Sequence, residues 1–154
     1  MSPDGAHAAS ALTARLHLRV GWWALVGFAS LGLVLEGLHG LKIGFYLDVT
    51  NETRRLLWTL AHVHGTLLSL LNVVFALTLA ALPGFGERPR QVASRCLLGG
   101  LLLMPAGFFL GGSFLHGGDP GLGVLLAPPG ALLILIGLVL IARAASASQG
   151  PTAG

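Results

Sequence analysis

Charge is scarce in this chain. Asp, Glu, Lys and Arg account for 10% of 154 residues while 54% are hydrophobic. That balance excludes an ordinary water-soluble globule and places the sequence in the membrane class. A single cysteine, Cys96, excludes an intrachain disulfide and a thiolate metal cluster. Lysine occurs once, at Lys42, so the net charge of +3 rests on arginines. These flank apolar runs instead of forming a patch, which reads as membrane topology and not as a nucleic-acid footprint. Internal repeats are absent as well.

What is present is four charge-poor stretches, 20–45, 56–82, 96–115 and 121–142, the first interrupted by Glu36 and Lys42. Each is near or above the roughly 20 residues that carry a helix across the hydrocarbon core. The expected organisation is an all-α integral membrane protein. Residues 1–14 form a structureless tail, 15–143 a four-helix transmembrane domain, and 144–154 a second structureless tail. The helices are expected over about 18–45, 53–82, 92–116 and 121–143. The first is too long for the apolar region of a secretory signal, and no small-residue cleavage site follows it, so it is read as retained.

Arg15, Arg19, Arg88, Arg90, Arg95 and Arg143 fall on one side of this arrangement, and Lys42, Arg54 and Arg55 on the other. The bias predicts a multi-pass protein with both termini cytoplasmic, the second helix running from outside to inside; one Lys against eight Arg suits a GC-rich bacterial genome, hence a bacterial inner membrane. Pro105 and the pair Pro128-Pro129 are expected to bend the third and fourth helices. Residues 83–90 read as a cytoplasmic turn and 116–121 as a tight external one. Thr50 and Asn51 offer caps to the second helix. Gly99-Gly100 and Gly111-Gly112 suit close helix packing.

His62 and His64 lie inside the second stretch, where no residue carries a formal charge. An imidazole at that depth is expensive, so its default reading is functional. At about 100° per residue, positions i and i+2 point roughly 200° apart. The two rings therefore look into different spaces and cannot bind one metal from one helix face. From the 1.5 Å rise, Glu36 lies roughly 13 Å below the outer surface and the two histidines roughly 10–14 Å, in one layer. His39 stands one turn above Glu36 on the same face, and His116 at the outer end of the third helix. Near the interface, a hydrated histidine is ordinary. Asn72 reads as interhelical glue, and the inner half as almost wholly Leu, Val, Ala and Gly. With no acidic neighbour on their own helix, His62 and His64 have few cheap partners.

Neutral imidazole suits zinc, copper and haem iron. A single zinc or copper ion wants three or four ligands in one place, so Glu36 or His39 would have to complete it. Haem needs one or two axial nitrogens and an apolar gap between helices. Arg54 and Arg55, about two turns outward of His62, could hold haem propionates. Spacing and arginines together favour haem.

The run Ala61-His62-Val63-His64-Gly65-Thr66-Leu67-Leu68-Ser69-Leu70-Leu71-Asn72 resembles the tenth transmembrane helix of the catalytic subunit of the haem-copper oxidase superfamily, which includes the nitric oxide reductases. In that family the first histidine of an Ala-His-x-His or Ala-His-x-[His/Met]-Gly run binds the high-spin haem and the second the low-spin haem. The resemblance implies that His62 and His64 are axial haem ligands, with Arg54 and Arg55 as propionate partners. The family's His-Pro-Glu-Val-Tyr copper helix and His-His pair have no counterpart here, which argues against oxygen or nitric oxide reduction. The family subunit has twelve helices in three four-helix arcs. A four-helix chain matches one arc, and a head-to-tail homotrimer would rebuild the whole. Each haem, of b type, would then take His62 from one protomer and His64 from the next.

The sequence thus supports three readings. The first is a membrane haem protein serving electron transfer, or small-gas binding, with a quinol or cytochrome as redox partner and lipid and its own copies as neighbours. The second is a non-haem Fe, Cu or Zn protein using Glu36, His39 and a helix-2 histidine. The third is a membrane assembly or transport protein. Whether the chain is catalytic stays open, since a bis-histidine haem is coordinatively full.

Overall fold

Four charge-poor apolar stretches of about membrane-spanning length dictate four long helices. The computed structural model describes residues 3–82 and 84–147. It contains α1 (Pro3–Gly40), α2 (Thr53–Ala81), α3 (Glu87–Ser113) and α4 (Ala127–Ala147), with a 3-10 segment over Leu122–Leu126 leading into α4. All four are long and apolar enough to cross a membrane, so the chain is all-α with four candidate spans.

Helices consecutive in sequence pack side by side: α1 on α2, α2 on α3 and α3 on α4. Contact between α1 and α3 is marginal, and α1 and α4 do not meet among the described residues. The arrangement is therefore an open row and not a closed bundle. The most apolar windows of α1 and α4 are 17% and 22% buried against 44% for each central helix, so the row has two uncovered edges. Glycine sets the closeness of α3 and α4. A Cβ on Gly107 would come within 2.7 Å of Ala127 N, and one on Gly130 within 2.7 Å of Met104 N. Only residues without a side chain let the two backbones approach so closely. At the arginine-rich end, Phe75, Leu79, Phe85, Ala93 and Leu97 form a core cluster that also gathers Ala14 of α1 and Ala144 of α4.

Several boundaries differ from the expected ones. Residues 1–14 were expected to be structureless, yet α1 begins at Pro3, residues 1 and 2 lying outside the described residues. Proline suits the first helical position, and the alanine-rich segment after it extends a helix that is already nucleated. At its other end α1 stops at Gly40, five residues short of the expected limit. The cause is a complete Schellman motif: Lys42 takes φ of 52°, its N–H bonds to His39 O and that of Ile43 to Leu38 O. The loop that follows turns back so that Tyr46 is buried.

α3 starts at Glu87, inside the segment expected as a turn, and ends at Ser113. A carboxylate favours that position at the positive end of the helix dipole. Pro105 sits within a continuous α3. Pro128 and Pro129 lie in the first turn of α4, directly after the 3-10 segment, where a missing N–H costs nothing. The tail expected from Ala144 is helical to Ala147, with Ser146 Oγ donating to Ala142 O. Residues 148–154 lie outside the described residues.

The loops at the other end are tied together. Asn51, expected as a cap, stands one residue before the N-cap Glu52; its Oδ1 accepts the Thr53 N–H, while Asn51 Nδ2 and Thr53 Oγ1 both donate to Gly118 O at 3.0 Å. Gly117 and Gly118, at φ of 59° and 95°, form the expected tight turn between His116 and Asp119. In the first loop the Thr50 hydroxyl and N–H both donate to Asp48, holding that exposed carboxyl below its ordinary range.

Candidate functional site

The face of α2 that carries Ala61, Gly65, Leu68 and Asn72 is buried between α1 and α3. Val63, on the opposite face, is 48% exposed. His62 and His64 flank Val63 at the two borders and are both half-buried. The His62 ring leans on α1, where its Nδ1 lies 2.8 Å from Phe28 O. The His64 ring leans on α3, its centroid 5.1 Å from that of Phe108, while its Nδ1 lies 2.9 Å from Leu60 O on its own helix. The i, i+2 spacing thus places the rings in two separate interhelical grooves, as helix geometry requires.

The backbone carbonyls decide the chemistry of both rings. A carbonyl can only accept, so each Nδ1 carries the proton and donates it. In a neutral ring Nε2 then holds the lone pair. This is the arrangement in which a histidine ligates metal through Nε2, with its other nitrogen oriented by a hydrogen bond. The scarcity of cheap partners inferred from the sequence is corrected here: the partners are main-chain oxygens, which side-chain composition does not reveal. Gly32 makes room for the His62 ring, since a Cβ there would overlap its Cε1, Nδ1 and Nε2 atoms.

The other candidates are arranged less tightly. Glu36 is exposed and lines a groove of about 400 Å³ together with Gly32, Leu33, Tyr46, Thr59 and His62. A second groove, of about 300 Å³, shares Glu36, Tyr46 and Thr59 and adds His39, Glu52 and Arg55. Among the described residues, no three of His, Cys, Asp and Glu converge into a metal-binding group. Arg54 directs Nε to Gly112 O at 3.1 Å and a terminal nitrogen to Phe45 O at 2.9 Å, its guanidinium carbon lying 5.6 Å from the centre of the Phe45 ring. Arg55 pairs with Glu52. His116 is exposed, its Nδ1 against Phe114 O.

One buried histidine is not singled out by the sequence pattern. His17 has no exposed surface. Its Nδ1 lies 2.7 Å from Asn72 Oδ1 and its Nε2 2.8 Å from Ser94 Oγ, and its ring meets the Phe75 ring edge-on at 4.7 Å. Asn72 Nδ2 donates to Leu68 O, which leaves Oδ1 to accept from His17. Three helices are joined at one imidazole, and the inner half is not purely apolar. The signal lies in spacing. His17, Gly21, Phe28 and Gly32 fall on one face of α1, and each of the last three approaches α2. A histidine continuing that face points into the row although Arg15 and Arg19 flank it.

Fold and site together define a four-helix, multi-pass type of chain with a half-buried histidine pair on its second helix. No protein-family model, curated protein or solved structure matches the chain.

Proposed function

We propose that this chain is a membrane b-type haem protein for electron transfer, with His62 and His64 as axial ligands. The carrying observation is the pair of Nδ1–carbonyl bonds, which leaves both Nε2 atoms for iron while fixing the rings. Haem, when bound, supplies one-electron redox chemistry. Each protomer would offer two such ligands in separate grooves, His62 on the α1 side, where Gly32 makes room for its ring, and His64 on the α3 side. Both arginines are engaged, Arg54 by two carbonyls and Arg55 by Glu52; Arg55 lines the groove and would hold a propionate in exchange for that carboxylate.

The open row favours a homotrimer in which each protomer acts as one four-helix arc. In that ring His62 of one copy and His64 of the next would together hold each haem. The arginine bias supports termini on the cytoplasmic side; the membrane of this reading is a bacterial inner membrane and its redox partner a quinol or a cytochrome.

The purified protein is expected to carry an intense Soret band, a sharp reduced-minus-oxidised α band and iron in proportion to haem. A colourless protein, or one holding zinc or copper without a Soret band, overturns the reading. Gly32→Val is expected to displace the His62 ring and weaken haem retention about 10- to 100-fold, with helical circular dichroism unchanged. Gly37→Val is the control, since a Cβ at Gly37 meets nothing within 4 Å. Equal haem retention by both variants would contradict the placement of His62.

A further inference from the structure

At the arginine-rich end, away from the histidine pair, the loop between α2 and α3 and the last turns of α4 enclose a cleft of about 440 Å³. Its walls include Leu82, Phe85, Leu140 and Ala144, and Arg143 stands at its rim. Arg143 is exposed and takes part in no ion pair or hydrogen bond among the described residues. Arg88 and Arg95 are exposed at the same end, where Glu87 is the one carboxylate among the described side chains, and it accepts a bond from Gln91. We infer that this cleft binds an anionic phospholipid, with its phosphate on Arg143 and its acyl chains along α4.

Two features point to that occupant. The first is charge. A guanidinium without a partner, in surroundings with a surplus of arginine, seeks a phosphate, and a basic pocket between helices at the membrane boundary is where anionic headgroups are held. The second is the wall. A hydrated inorganic phosphate gains nothing from Leu82, Phe85 and Leu140, whereas acyl chains do. The stripe of α4 that lines the cleft, Leu140, Arg143 and Ala147, continues one turn further into the apolar span through the exposed Ile136. A phospholipid satisfies both ends of this site at once.

The test uses the full-length protein in detergent, supplied with phosphatidylglycerol, phosphatidylcholine or inorganic phosphate. Bound lipid is read by native mass spectrometry, and the thermal midpoint is followed in parallel. Wild type is expected to retain phosphatidylglycerol in preference to phosphatidylcholine and to be stabilised by it, with no response to phosphate. Arg143→Gln is expected to lower that retention about fivefold. Ala147→Trp, which blocks the cleft without changing charge, is expected to lower it comparably, while Arg88→Gln is expected to have less than half of either effect. Undiminished retention in Arg143→Gln or in Ala147→Trp overturns the site. So does an equal loss in Arg88→Gln, which would signal a diffuse basic surface, or stabilisation by phosphate alone. A change of oligomeric state in Ala147→Trp with lipid retention intact would assign the cleft to a second copy and overturn it too. None of these readouts involves haem, so the result is independent of the proposed function.

Discussion

Neither His62→Ala nor His64→Ala should retain low-spin haem, and co-expression of the two variants should restore it. If every haem is shared, each single variant removes one axial ligand from every site in the ring. A mixed ring contains one junction where an intact His62 meets an intact His64 on the neighbouring copy. With equal and random assembly, about a quarter of all junctions regain both ligands. Low-spin haem should return to about that level, read from the reduced α band per protomer. A site within one chain cannot be rescued in this way, because no single variant chain holds both imidazoles. Mixed trimers that assemble and stay as haem-poor as the single variants would refute the shared arrangement, while leaving open a haem bound within one protomer.

The second large effect concerns His17. Replacing it by Ala leaves Asn72 Oδ1 and the Ser94 hydroxyl without their partner inside the row and opens a cavity beside Phe75. A buried polar group left unsatisfied costs about 1–3 kcal/mol. Hydrogen bonds inside bilayers are often worth about 0.6 kcal/mol, because the separated helices find other partners. Adding the cavity, His17→Ala should destabilise the protein by about 2–4 kcal/mol, measured as a shift in its unfolding curve in detergent. Replacing all three groups, as His17→Leu with Asn72→Leu and Ser94→Ala, should recover a substantial part, since no buried polar atom is then abandoned. A triple variant as unstable as His17→Ala would show that ring packing, and not the polar network, holds α1 in place.

How much of this molecule can be read from the chain depends on the kind of signal. Apolar run length marks the four spans, because burial of a helix in hydrocarbon is set by composition and the 1.5 Å rise. Helix ends are less legible. The stop at Gly40 depends on Lys42 adopting a left-handed conformation, which a lysine does not announce. The start of α4 depends on prolines that initiate a helix as readily as they bend one. At the site, the opposed directions of His62 and His64 follow from the helix period alone. Their hydrogen-bond partners do not, since every residue has a carbonyl. His17 is hidden for a related reason: its partners Asn72 and Ser94 are 55 and 77 residues away. Only the juxtaposition of α1, α2 and α3 brings them together.

The open row has a consequence for how such a chain could grow. Four antiparallel helices return the chain to the end from which it started, but α1 and α4 lie on opposite edges of the row. In a ring closed edge against edge, the finish of one copy therefore lies beside the start of the next. Three copies fused in tandem through short linkers would trace a continuous twelve-helix polypeptide without any helix changing place. Gene triplication followed by divergence of the three segments could then free one histidine pair to specialise while the others are lost.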